Sequence, residues 1–197
     1  MRSLLWLSLV VATAGCVSTR PIHYYTIEPP SASPGQGKAD GLVLLVGNIA
    51  TPESLQDGRI RYRRGANEAG AYEYHRWAER PSSMIRESLV RTLRASGKYR
   101  RVLEASSSAI GDYLVRARLH EFGEVDNASI QTKVSLHVEL VDMKTNRSVW
   151  DGRVEREEPV SGKTVPDVVQ SLDRNLRHVA NDIAAELDKF LSSPERH

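Results

Sequence analysis

The only cysteine in the 197-residue chain is Cys16, in the stretch ATAGCVSTR. A lone thiol can act as a nucleophile, a redox group or an attachment point for lipid. With no second cysteine there is no intramolecular disulfide, so burial of apolar surface must supply the stability. What precedes Cys16 narrows the choice. Arg2 is followed by SLLWLSLVVA, an apolar run of about ten residues bounded by small ones, which is the plan of a secretory signal peptide. It is too short to span a bilayer, which takes about 20 apolar residues. Cys16 stands where the export signal ends, and that position argues against a catalytic thiol.

Two processing readings remain. In one, TAGC is a bacterial lipobox and Cys16 becomes the acylated first residue of the mature chain. In the other, Ala12 and Ala14 form an A-x-A site cut before Gly15, leaving a free thiol. Thr13 occupies a place where lipoboxes usually carry leucine. Lipidation is favoured, because chance placement of the sole cysteine at this point is a poor alternative. One acyl chain contributes about 0.8 kcal/mol per buried methylene, so firm anchoring takes several. Val17 follows the cysteine where aspartate would signal inner-membrane retention, which favours the outer membrane. The expected organisation is a signal peptide over 1–15, a lipidated N-terminus and tether over 16–40, one domain over 41–192 and a C-terminal tail over 193–197.

Other constellations are weaker. SGKT at 161–164 resembles the end of a phosphate loop, but the required first glycine would be residue 157, which is glutamate. A turn leading into a capped helix explains the same residues. His120 and His137 fall on the polar face of neighbouring strands, about 7–8 Å apart at the backbone by simple register. Arg116 and Arg118 lie beside them and oppose a metal ion. No G-x-S-x-G elbow is present. The residues nominate no catalytic group, no metal ligand and no cofactor beyond a covalent lipid on Cys16, so a non-enzymatic protein is expected.

Charge is uneven although the total is only +2. From Arg59 to Arg101 there are twelve Arg/Lys against four Glu, a balance of +8; from Leu103 to His197 twelve basic residues meet seventeen acidic ones, a balance of −5. An electrically polarised fold is expected. Nucleic acid is a poor partner for an exported chain, and an anionic partner or lipid headgroups fit better.

The elements that position these residues follow from periodicity. PPSASPGQGKADG (29–41) reads as a loop or tether, and LVLLVGN as a strand buried on both faces. RIRYRR and GAYEYHR alternate around GANEAG as a hairpin or two edge strands. Residues 81–96 place Ile85, Leu89 and Leu93 on one helical stripe, with Pro81 at the start and Gly97 past the end. Between 113 and 155 an antiparallel meander turns at DNAS, setting Leu119 against Leu136 and Arg116 against Glu139, with Trp150 and Val154 on the same apolar face. A long helix then carries apolar residues from Val165 to Leu191. The expected fold is α/β, a mixed, partly antiparallel sheet of about five to six strands packed with two main amphipathic helices in a single domain, both helices mainly on one face.

With these pieces in order, HYYTI, RIRYRRGANEAGAYEYHRWAERPSSMIRESLVRTLRASGKYRRV, DYLVRARLHEFGEVD and VELVDMKTNRSVWDGRVE resemble the PqiC-like family of ABC-type transport auxiliary lipoproteins, from about Ile22 to Leu191. The most specific part is YHRWAERP, where Arg80 replaces a proline common in the family. The resemblance implies an outer-membrane lipoprotein facing the periplasm. It would work with an MCE-domain protein and an ABC permease and ATPase to move phospholipid or other hydrophobic molecules. Trp77 either fills the seam between sheet and helix or joins Arg76 as a docking contact, because Trp, Arg and Tyr dominate protein interfaces. Tyr24 and Tyr25 carry the same ambiguity. A homo-oligomer is plausible. The alternative function is an envelope assembly or cell-wall-binding lipoprotein unrelated to transport.

Overall fold

The computed structural model describes residues 20–28, 41–106 and 108–193. Its elements are β1 (His23–Tyr25), β2 (Val43–Ala50), a 3-10 turn (Glu53–Leu55), β3 (Arg59–Arg64), β4 (Glu68–Trp77), α1 (Pro81–Ala95), β5 (Arg101–Glu104), β6 (Tyr113–Asp126), β7 (Ile130–Asp142), β8 (Arg147–Pro159) and α2 (Val165–Ser192). The strands form one mixed eight-stranded sheet in a single α/β domain. The strands beyond the expected count are β1 and β5, three and four residues long, too short for alternation to reveal. Cys16, the signal segment 1–15, the stretch 29–40 and residues 194–197 lie outside the described residues.

The long strands β6, β7 and β8 form the antiparallel meander, and the expected register holds over its first part: Leu119 faces Leu136 and Arg116 faces Glu139. Nearer the turn the pairing slips, with Glu121 facing Ser135, so His120 is the extra residue of a β-bulge. The bulge reverses the alternation beyond it. Phe122, which strict alternation from Leu119 would turn outward, is opposite Val134 and only 2% exposed. His137 faces Arg118, as the expected register sets it, while His120 is left with no partner of its own on β7.

β7 occupies one side of β6 along its whole length. On the other side β2 pairs with the first half of β6 and β3 with Gly123–Asp126, both parallel. β2 and β3 therefore lie end to end, and the 3-10 turn loops out between them with Leu55 tucked into the core. β5 extends the sheet beyond β2, while β4 and then β1 extend it beyond β3. The sheet is branched, and β3, β4 and β1 form a wing at the end nearer the β6–β7 turn.

α1 packs on β2 and β5, α2 packs on β7 and β8, and the helices touch each other. Both bury their stripes against the same sheet face: Ile85 and Leu89 of α1, Leu172, Leu176, Val179, Ile183 and Leu187 of α2, and Leu44, Val134, Leu136, Val138 and Leu140 of the sheet are all 0% exposed. Each such side chain contributes about 1.5–3 kcal/mol, and this shared core holds the layers together. β2 is buried on both faces, as its apolar run implies. Leu45 on the far face is covered by the β5–β6 connection, where a Cβ on Gly111 would stand 2.6 Å from the Leu45 side chain.

Helix ends follow local chemistry. Gly97 has a φ of 64°, the left-handed conformation that glycine supplies after α1. SGKT is the turn into α2: Thr164 is its N-cap and forms a reciprocal capping box with Asp167. Inside, Asn175 donates to the Thr132 and Arg156 carbonyls at 3.0 and 3.2 Å, and Ser171 to the Pro159 carbonyl at 3.1 Å. These bonds key α2 to one position over β7 and β8.

Candidate anchoring and docking surface

β1 is part of the sheet, which moves the start of the folded domain from residue 41 to the N-terminal side of His23. His23, Tyr24 and Tyr25 pair with His75, Arg76 and Trp77. The Ala78 amide donates to the Tyr25 carbonyl at 2.7 Å, and Ile27 enters the core at 5% exposure. The strand is held by backbone pairing, by contacts of His23 and Tyr25 with His75 and by the burial of Ile27 just beyond it, a signal that periodicity cannot carry. Residues 29–40 thus connect β1 to β2, two strands of one sheet.

The residues nominated for docking separate into core and surface. Trp77 is 4% exposed, its ring 5.4 Å from that of Phe122. It fills the seam where β4 leads toward α1, and that burial removes it from any contact surface. Tyr25 is half-buried against the core, with its hydroxyl 2.9 Å from His75 Nδ1, and burial raises its pKa. Tyr24 is 64% exposed. It pairs in register with Arg76, which in turn faces Arg59, so these side chains share the face without helices.

On the helix side the wing carries a row of rings that the sequence reading did not single out. His23 stacks on His75 at 5.3 Å, Tyr25 and Tyr72 approach His75 at 5.7 and 5.8 Å, Tyr62 meets Tyr72 edge-on at 5.2 Å, and Arg64 lies 4.6 Å over Tyr62. Gly70 makes room for this row, since a Cβ there would stand 2.5 Å from the Tyr62 ring. Tyr72 donates to Glu124 Oε2 at 2.7 Å; burial and then that carboxylate raise the Tyr72 pKa. Burial, with the His23 ring beside it, lowers the pKa of His75. The signal was present in YEYH and RYR, but only the β4 irregularity opposite Arg59–Arg61 brings the rings together.

The other face of the wing carries arginines at two-residue spacing. Arg59 and Arg61 both reach Asp57, at 2.7 and 2.8 Å, and Arg63 reaches Glu121 at 2.7 Å. Farther across the sheet the sign reverses. Lys133 sits among Glu155, Glu157 and Glu121 at 2.6, 3.0 and 3.7 Å, and the Glu155 bond first among these contacts raises its pKa. The polarity expected from the sequence is thus realised across one sheet face, from the basic wing to the acidic β8 edge.

A different surface lies at the opposite end of the meander. Ile110, Met143 and Val149 are 88%, 40% and 39% exposed. The Met143 amide donates to the Asp112 carbonyl at 2.9 Å, which joins the β5–β6 connection to the β7–β8 turn. A recess of about 190 Å³ lies beside Leu55, Tyr62 and Phe122, and larger, more polar clefts of about 420 and 490 Å³ lie along α1 beside Glu79 and Arg91 and between β8 and α2 beside Trp150 and Asp182. Among the described residues, no helix is long and apolar enough to cross a membrane.

Comparison with known proteins agrees with this fold. The crystal structure of a Xanthomonas campestris protein superposes with a TM-score of 0.73 at 19% identity, covering 85% of this chain and 99% of that one. The crystal structure of an uncharacterized protein gives a TM-score of 0.67 at 16% identity, with the same coverage. No match is found among the curated proteins compared. The model of the ABC-type transport auxiliary lipoprotein component family matches residues 25–184, a span that begins within β1 and ends inside α2. The chain belongs to the family of ABC-type transport auxiliary lipoprotein components.

Proposed function

We propose that the mature chain is a non-enzymatic lipoprotein, acylated on Cys16 and facing the periplasm from the outer membrane, that docks an MCE-type ABC lipid-transport complex to that membrane. The reading is carried by the family match over residues 25–184 together with a sole cysteine placed just ahead of β1. In this reading the protein supplies position and no covalent chemistry. The exposed apolar residues Ile110, Met143 and Val149, at the end of the sheet away from the wing, are the surface assigned to the MCE-domain partner, since large apolar side chains gathered at one end of a fold offer area to bury against a partner.

The test is affinity purification from chemically crosslinked cell envelopes, with mass spectrometry of the co-purified chains and of the N-terminal peptide. An acylated Cys16 with an enriched MCE-domain protein or ABC permease supports the proposal. An unmodified N-terminus at Gly15 with no transporter chain enriched overturns it.

A further inference from the structure

We propose that the helix-free face of the wing rests on the anionic phospholipid headgroups of the membrane holding the anchor, with Arg59, Arg61, Arg63 and Arg76 as its contacts. The inference builds on the acylation of Cys16. Its first support is reach. Four peptide steps separate Cys16 from Arg20, at most about 14 Å of chain. The Arg20 guanidinium lies 5.8 Å from the Tyr74 ring on β4. Neighbouring strands are about 4.8 Å apart, so β3 lies only about 10 Å beyond β1. An anchored chain must keep this wing beside the bilayer.

The second support is charge. Arg59 directly faces Arg76 across the β3–β4 pair, and like charges in that position destabilise a sheet. Arg61 and Arg63 continue the row on the same face. Asp57 and Glu121 are the carboxylates that reach the row, and they do not balance four guanidinium groups. A layer of lipid phosphates relieves this repulsion. Ile22 and Tyr24, 43% and 64% exposed, flank the row nearest the anchor, and tyrosine favours the membrane interface. The acidic β8 edge, with Asp151, Glu155 and Glu157, lies at the far side of the sheet from β1, so the same lipid charge that attracts the wing repels that edge.

The experiment uses the acylated full-length protein, purified with its N-terminal peptide checked by mass spectrometry, in nanodiscs of phosphatidylethanolamine and phosphatidylglycerol. Because Cys16 is the only native cysteine and is blocked by lipid, one engineered cysteine labels a single site. A fluorophore at Ala69→Cys, opposite Arg63, is compared with one at the exposed Arg91→Cys on α1, using lipids with nitroxide on the headgroup as quenchers. Strong quenching at 69 and weak quenching at 91 is expected. The quenching at 69 should fall when phosphatidylglycerol is replaced by phosphatidylcholine, and when the four arginines are changed to glutamine. Each arginine removed should lower the ratio of membrane-apposed to free wing about fivefold. Equal quenching at both sites, or indifference to lipid charge, overturns the inference while leaving the anchor standing. A non-acylated N-terminus overturns both. The lipid exchange on the otherwise native protein decides the matter if the four-arginine variant fails to fold.

Discussion

Replacing Tyr99 with phenylalanine isolates the joint between the α1–β5 connection and α2. Tyr99, 6% exposed, donates its hydroxyl to Asp188 Oδ1 at 2.5 Å; Asp188 is 9% exposed, and its other oxygen accepts from Lys98 Nζ at 2.6 Å. A hydrogen bond to a charged group contributes about 1.5–3 kcal/mol, and losing the hydroxyl leaves one carboxylate oxygen buried without that donor. The expected cost of Tyr99→Phe is about 2 kcal/mol, which lowers Tm by roughly 4–8 °C in a chain of this size. The Lys98 side chain is 58% exposed, so Lys98→Met should cost no more than about 1 kcal/mol. Urea and thermal unfolding of Tyr99→Phe, Asp188→Ala and the double variant complete a cycle whose coupling should exceed about 1 kcal/mol. Burial first, and then the Asp188 contact, raise the Tyr99 pKa above its ordinary value of 10.0. The folded state therefore holds the phenolic proton more tightly than the unfolded one. That contribution is complete below pH 10 and declines above it, and the decline should be missing from Tyr99→Phe. A cost under about 0.5 kcal/mol, or zero coupling, would refute the assignment of the joint to this hydrogen bond.

Other residues give sharper or broader readouts. His75 has a lowered pKa, so its contribution is complete above the unfolded value of about 6.5 and is lost as pH falls through the folded value. Amides of β1 should exchange faster at pH 5.5 than at 7.5 after correction for intrinsic rates, and His75→Gln should abolish the difference; a pH-independent β1 in the native protein contradicts this. Gly162→Ala would place a Cβ 2.1 Å from Asp167 Oδ2, breaking the capping box at a cost of about 1 kcal/mol. Thr164→Ala should cost about as much with no full addition in the double variant, and full additivity would show two independent effects. Trp77→Ala should cost about 3–5 kcal/mol, whereas Tyr24→Ala should stay within about 0.5 kcal/mol. Equal losses in urea unfolding would erase the distinction between core and surface.

Much of the architecture is written in local patterns. Alternation placed Leu119 opposite Leu136 because both strands have one buried and one solvated face, so a slip of one residue would turn every side chain over. The bulge at His120 escaped because its effect is legible only beyond it, in the inward turn of Phe122. β1 escaped because three residues have no period, and its pairing with β4 crosses 52 positions of sequence. The branching of the sheet was invisible for a related reason: nothing in RIRYRR says which half of β6 it will join. At the candidate surface, Trp77 was legible as seam filler from its place at a strand end, and the basic wing from composition. The opposition of Arg59 to Arg76 needed the hairpin register with its irregularity, and the ring row needed the same displacement.

The branched sheet also dictates an order of assembly. The meander of β6, β7 and β8 joins neighbours through short turns, so its contacts are local and can form quickly. β2 with its neighbour β5, and β3 with its hairpin partner β4, cannot join into one sheet until β6 exists, although they are synthesised before it. Each then adds to a separate half of the same template strand. The segment VLLV of β2, apolar on both faces, must wait for its first strand partner, β5, through the synthesis of more than fifty intervening residues. In that interval it is the part of the chain most prone to aggregate, and a chaperone that shields nascent chains would find its clearest target there.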